Sequence, residues 1–134
     1  MTSYADLVAA ARRSVVELEP SDVEGRVGDV VLIDVREPDE YEAGTLAGAL
    51  HIPRGVLEST IESRLPDRDR PVVLFCAGGS RSVLAAASLE AMGYSDVASM
   101  AGGFNRWKDE GRAWVIPNSL DRDQRKRRIK LFLH

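Results

Sequence analysis

The sequence has one cysteine in 134 residues, two histidines, three phenylalanines and no long apolar run. Each scarcity closes a class of function. A single cysteine can form neither an intrachain disulfide nor a Cys-x-x-Cys redox pair, which excludes a stapled secreted scaffold and points to a reducing, cytoplasmic setting. Cys76, His51 and His134 are too widely separated for zinc-type spacing, so no metal or other cofactor is expected. Crossing a bilayer takes about 20 consecutive apolar residues, and the opening MTSYAD lacks the basic start and apolar stretch of a secretory leader. No membrane attachment is expected.

What is present suits one compact domain. Hydrophobic residues make up 44% and charged residues 29%, ordinary for a globular protein with a real core. The net charge of −3 is unevenly spread. Residues 119–134 hold six basic residues (Arg122, Arg125, Lys126, Arg127, Arg128, Lys130) against Asp121 and Asp123, a net of +4 that leaves −7 for residues 1–118. We expect a folded body over 1–118 and a basic, helical tail over 119–134, and an acidic body of this kind is a poor nucleic-acid binder.

Hydrophobic patterning gives the body an alternating order of strands and helices. Residues 4–13 suit a short amphipathic helix, and Val15 to Leu18 a short strand. Ser21 to Glu24 has the Ser-x-x-Glu form of a capping box opening a second helix. Val30 to Val35 is a nearly continuous, β-branched run, as in a strand covered on both faces of a parallel sheet. Pro38 then fits the first position of a helix that Gly44 stops. A short strand at His51-Ile52 is limited by Pro53, and Val56, Leu57, Ile61 and Leu65 recur at helical spacing. Pro71 to Cys76 is a further strand, followed by a helix from about Ser82 that Gly93 ends. Val97 to Met100 is the last strand and Phe104 to Lys108 the last helix, with Phe104 and Trp107 on one packed face. Strands and helices alternating over short connections give a three-layer α/β/α fold with a central, mainly parallel sheet of about five strands, whose ligands bind beyond the carboxyl ends of the strands.

Cys76 stands at such an end, in the loop Cys76-Ala77-Gly78-Gly79-Ser80-Arg81. A cysteine attacks, or carries sulfur, as a thiolate, a form favoured by facing backbone N–H groups and by a helix N-terminus. Gly78 and Gly79 let the backbone curl with its amides inward, and Arg81 can hold an anion at the rim. A lone cysteine is more often a small buried filler; the paired glycines, the arginine and the strand-to-helix setting favour reactivity here.

These elements resemble the single-domain rhodaneses, a family of sulfurtransferases. The resemblance rests on Asp34-Val35-Arg36-Glu37, the run from Glu42 to Pro53, the Cys76–Arg81 loop, and Gly102-Gly103-Phe104 with Trp107. It implies that Cys76 takes a sulfane sulfur from a donor, holds it as a persulfide among the amides of Ala77, Gly78, Gly79, Ser80 and Arg81, and passes it to a thiol or to cyanide in a ping-pong sequence. No histidine base is needed, and His51 reads as structural. Asp34, Arg36, Glu37 and Arg54 are candidates for a surrounding layer, and for Asp34, Arg36 and Glu37 an ion-pair network fixing the loop beside the sheet is the favoured role.

Two positions depart from the family pattern. Thr45 stands where members often have histidine, and Ala77 where many bacterial members have a basic residue. With Arg81 the one charge in the loop, a persulfide, polysulfide or protein donor becomes a serious alternative to thiosulfate. The related phosphatases resemble Cys-x5-Arg, and the position needing arginine is Ser82 here, which favours sulfur over phosphate. A catalytically idle binding or regulatory module is the other alternative. In the tail, Leu120-x-x-x-Gln124-Arg125 is similar to the opening of adenylating enzymes that activate sulfur-carrier proteins, which implies a sulfur-carrier or adenylating protein as partner.

Overall fold

The computed structural model describes residues 1–117. The basic helix expected over 119–134 lies outside the described residues. Helix α1 (Tyr4–Ser14) opens on a reciprocal cap: the Asp6 N–H donates to Ser3 Oγ and the Ser3 N–H to Asp6 Oδ2, each at 3.0 Å. Then come β1 (Val16–Leu18), α2 (Pro20–Gly25), β2 (Val31–Asp34), α3 (Pro38–Glu42) and β3 (Leu50–His51). A 3-10 turn over Arg54–Val56 leads into α4 (Leu57–Arg64), followed by β4 (Val72–Phe75), α5 (Ser80–Ala91), β5 (Val97–Met100) and α6 (Gly103–Asp109).

The five strands form one sheet in the order β1-β5-β4-β2-β3, and every pairing is parallel. β4 is therefore the middle strand, and its four residues are all buried. Alternation along the strands divides the core into two layers. Ile33, Val35, Val72, Leu74 and Val97 face α4 and α5, with Leu57, Ile61, Ala85, Ala86 and Leu89 packed on them. Leu32, Val73, Phe75, Ala98 and Met100 face the other way, against Val23 of α2 and Phe104 and Trp107 of α6. The same alternation turns Cys76, directly after β4, toward the α5 side.

Most of the expected elements are present, with three corrections. Ser21 caps nothing: α2 starts two residues earlier than a Ser21 cap would set it, because Pro20, with its φ preset for a helix, takes the first position behind an extended Glu19. Val56 is 47% exposed, since it belongs to the 3-10 turn and not to the buried face of α4. α5 begins at Ser80, not near Ser82, because Gly79 adopts φ +106 and swings the chain straight into the helix. Its far end closes as expected: Gly93 is left-handed, its N–H donates to the Glu90 carbonyl at 3.0 Å, and the Tyr94 N–H donates to the Leu89 carbonyl at 3.1 Å.

Candidate active site

Because α5 starts at Ser80, the second half of the cysteine loop is the first helical turn. The sulfur of Cys76 lies at its mouth, where the Gly79 N–H donates to Sγ at 3.0 Å and the Ser82 N–H points to it at 3.4 Å. These are donors that a helix start leaves without an intrahelical acceptor. The side chain is walled in, with the residue 1% exposed.

Ser82, which the sequence marked as an approximate helix start and as a missing arginine, is part of this site. It is fully buried, and its hydroxyl lies 3.4 Å from Cys76 Sγ, 3.2 Å from the Gly79 carbonyl it donates to, and 2.8 Å from the hydroxyl of Ser99 on β5. A line of buried polar groups thus runs from the sulfur into the sheet. The signal was a serine inside the otherwise apolar strand Val97–Met100, a placement that calls for a hydrogen-bond partner.

The loop is shaped from the opposite side by α6. The first free N–H groups of that helix take up the loop carbonyls: Phe104 N–H to Cys76 O at 2.8 Å and Asn105 N–H to Ala77 O at 3.1 Å. The loop amides of Ala77, Gly78, Ser80 and Arg81 donate to no protein acceptor among the described residues. The close approach of α6 to the loop carbonyls explains Gly103. Gly103 has φ +62, and a Cβ on it would lie 2.4 Å from the Cys76 carbonyl oxygen.

Asp34 and Arg36, both buried, form a bidentate pair, with Nε to Oδ1 at 3.0 Å and Nη2 to Oδ2 at 2.8 Å. Thr45 Oγ1 donates to Asp34 Oδ2 at 2.8 Å, Arg36 Nη2 donates to the Gly44 carbonyl, and the guanidinium sits 4.4 Å above the centre of the Phe104 ring. Every partner here is a framework group, so the pair ties β2 to the segment after α3 and to α6. Thr45 has a place in it, with no bond to the sulfur. His51 is structural as well, stacked on Tyr41 at 4.3 Å and donating from Nε2 to the Arg36 carbonyl at 2.8 Å.

The remaining candidates separate. Glu37 stands exposed at the N-cap of α3, its N–H donating to Glu40 Oε1 at 3.1 Å. Arg54 bonds to Glu58 at 2.8 Å and to Ser88 at 3.2 Å, two turns along α5 from the loop. Arg81 is held by a group the sequence did not single out: its two terminal nitrogens donate to the two oxygens of Glu40 on α3, at 2.7 and 3.0 Å. These bonds hold the Glu40 carboxyl down to about 2 and raise Arg81 above its already high value.

The family model that matches the chain is the rhodanese-like domain, over residues 19–110. The thiosulfate sulfurtransferase GlpE of Coxiella burnetii is 38% identical over 80 residues, 60% of this chain and 73% of that protein. A sulfurtransferase of Allochromatium vinosum is 37% identical over 89 residues, 66% of this chain and 81% of that one. Among solved structures, a Rhodopseudomonas palustris protein of unknown function, described as a possible tyrosine phosphatase, superposes with a TM-score of 0.75 at 34% identity, covering 83% of this chain and 92% of that one. The polysulfide-sulfur transferase homodimer of Wolinella succinogenes does so with a TM-score of 0.71 at 33% identity, covering 81% and 83%.

Proposed function

Since the chain belongs to the rhodanese-like domain family, we propose that it is a sulfurtransferase whose Cys76 carries a sulfane sulfur as a persulfide between a donor and a thiophilic acceptor. The observation that carries this is the placement of the Cys76 sulfur at the start of α5, with the Gly79 N–H on it at 3.0 Å. A thiolate there faces fixed donors, and so does the negative charge that a persulfide spreads over two sulfurs. The thiolate attacks the outer sulfur of the donor, the donor's S–S bond breaks, and the leaving group departs with the electron pair. A nucleophile, thiol or cyanide, then takes the outer sulfur and returns the thiolate.

Ala77, Gly78, Gly79, Ser80 and Arg81 supply the surroundings of that charge in this mechanism. Asp34 and Arg36 act on it through the framework. The loop speaks against phosphate chemistry: the sixth position after Cys76 is Ser82, buried and bonded to Ser99, where a phosphate-binding loop of Cys-x5-Arg form needs an exposed cation. A lone thiol that must cycle through its reduced form suits the cytoplasm. A sulfur-carrier or adenylating protein is the macromolecular partner we propose for the acceptor side.

The test is to incubate the protein with thiosulfate or glutathione persulfide and weigh it intact. A gain of one sulfur that cyanide removes and that Cys76→Ser abolishes supports the mechanism. No gain from any sulfane donor refutes it, and leaves the idle binding module.

A further inference from the structure

Three arginines stand around the cysteine loop, and each is matched to its own carboxylate. Arg36 is held by buried Asp34. Arg12 of α1 is paired with Glu17 through Nη1 at 2.5 Å, at the partly exposed edge of the loop, and its Nη2 lies 3.9 Å from where a Cβ on Gly79 would be. Arg81, the cation inside the loop, is gripped at both nitrogens by Glu40. The cation inside the loop is therefore already taken up when a doubly charged donor arrives. To use Arg81 the donor has to displace a carboxylate that already satisfies the bidentate geometry. That carboxylate stays ionised, being held down to about 2.

The neighbouring surface is of the opposite character. A shallow groove of about 310 Å³ runs along α1 to the loop, lined by Tyr4, Ala5, Val8, Ala9, Arg12 and Ser80. Apart from Arg12 and the hydroxyls of Tyr4 and Ser80 it offers carbon, suited to the carbon chain of an organic donor.

We propose that Glu40 is a specificity-determining residue: by holding Arg81 it directs the Cys76 site toward organic persulfides of low charge and away from the thiosulfate dianion. This rests on the sulfurtransferase mechanism above and names its donor class. With R–S–SH, the Cys76 thiolate bonds to the outer sulfur, the S–S bond breaks, and R–S⁻ leaves with the electron pair; the proton on the transferred sulfur goes to water. With thiosulfate the same attack releases sulfite carrying the pair.

The experiment compares rates of Cys76 persulfide formation, read by intact mass, for thiosulfate and for 2-hydroxyethyl persulfide, in the wild type and in Glu40→Gln. Glutamine keeps a carbonyl oxygen for the Glu37 N–H that Glu40 now accepts at 3.1 Å. Freeing Arg81 should shift the ratio of the two rates toward thiosulfate by about tenfold. Adding Arg81→Gln to Glu40→Gln should return the ratio to its wild-type value. An unmoved ratio in Glu40→Gln, or a shift that survives loss of Arg81, overturns the proposal. The wild type gives a test that no variant's folding can spoil: a higher rate with thiosulfate than with the organic persulfide also overturns it. Persulfide formation from neither donor would instead refute the parent mechanism.

Discussion

Gly103 backs onto the carbonyl of Cys76 with no room for a side chain: a Cβ there would lie 2.4 Å from that oxygen and 2.5 Å from the carbonyl of Ala77. Both atoms are main chain, so nothing can swing aside. Gly103→Ala is therefore expected to cost at least about 2 kcal/mol, combining positive φ with a backbone clash. Urea unfolding measures it, and the persulfide yield should fall as the loop is pushed off α6. Gly55→Ala is the control, since Gly55 has nothing within 4 Å of the added atom and no positive φ. A Gly103→Ala protein as stable as the Gly55→Ala one would contradict the close approach.

The Asp34–Arg36 pair makes a second prediction. Arg36→Met leaves a carboxylate in a place with no solvent, where losing one partner of a buried ion pair costs roughly 3–5 kcal/mol. Thermal or urea unfolding should show a loss of that size. A loss below about 1 kcal/mol would mean that Thr45 and the Arg36 main chain suffice to hold Asp34.

Ser82→Ala removes the hydroxyl between Cys76 and Ser99 and strands the latter in the core. We expect a loss of about 1–3 kcal/mol from the orphaned Ser99. In Ser82→Ala/Ser99→Ala, with both partners gone, most of that stability should return. The rate of persulfide formation should stay depressed in both variants, because the hydroxyl beside the sulfur is absent from both. Recovery of the rate along with the stability would show that Ser82 acts only as packing.

Glu40 supplies the pH dependence. Its carboxyl titrates at about 2 in the folded protein against 4.5 for the free group. A depressed folded value stabilises the fold fully above the unfolded value, and that contribution is lost as pH falls toward the folded one. At neutral pH the partly exposed pair should contribute about 1 kcal/mol. The difference in urea stability between wild type and Glu40→Gln should hold steady down to about pH 5.5 and narrow progressively below that. A difference that does not change by about pH 3 would show that folding does not lower the Glu40 carboxyl.

How far the sequence revealed these features depended on how local they were. β4 and the loop after it were legible because a buried parallel strand is a continuous apolar run, and because paired glycines before a helix mark a turn that ordinary residues resist. The end of α5 was legible for the same reason, with Gly93 and Tyr94 adjacent to what they close. Asp34, Arg36 and Glu37 were read as an ion-pair network on one strand end; Asp34 and Arg36, two residues apart, form a pair, while Glu37 stands outside it at the start of α3. Glu40 was not legible as the partner of Arg81. The two are 41 residues apart, and an acidic residue in the first turn of α3 has a sufficient local explanation in capping. Only the sheet, by setting β2 beside β4, brings the helices that follow those strands together. Gly102 and Gly103 were visible as a motif, but the reason for Gly103 is a carbonyl 27 residues earlier in the chain.

The burial of Cys76 has a consequence for how sulfur is carried. With the residue 1% exposed, the thiol offers almost no surface to a bulky reagent or to a second protein. A transferred sulfur lengthens the side chain by about 2 Å, the length of one S–S bond. In the mechanism proposed here, loading thus changes which atom a visitor can touch: the empty enzyme keeps its nucleophile recessed, and the cargo itself becomes the reach by which it is delivered. Such an arm is the cargo itself, and it withdraws when the sulfur is gone.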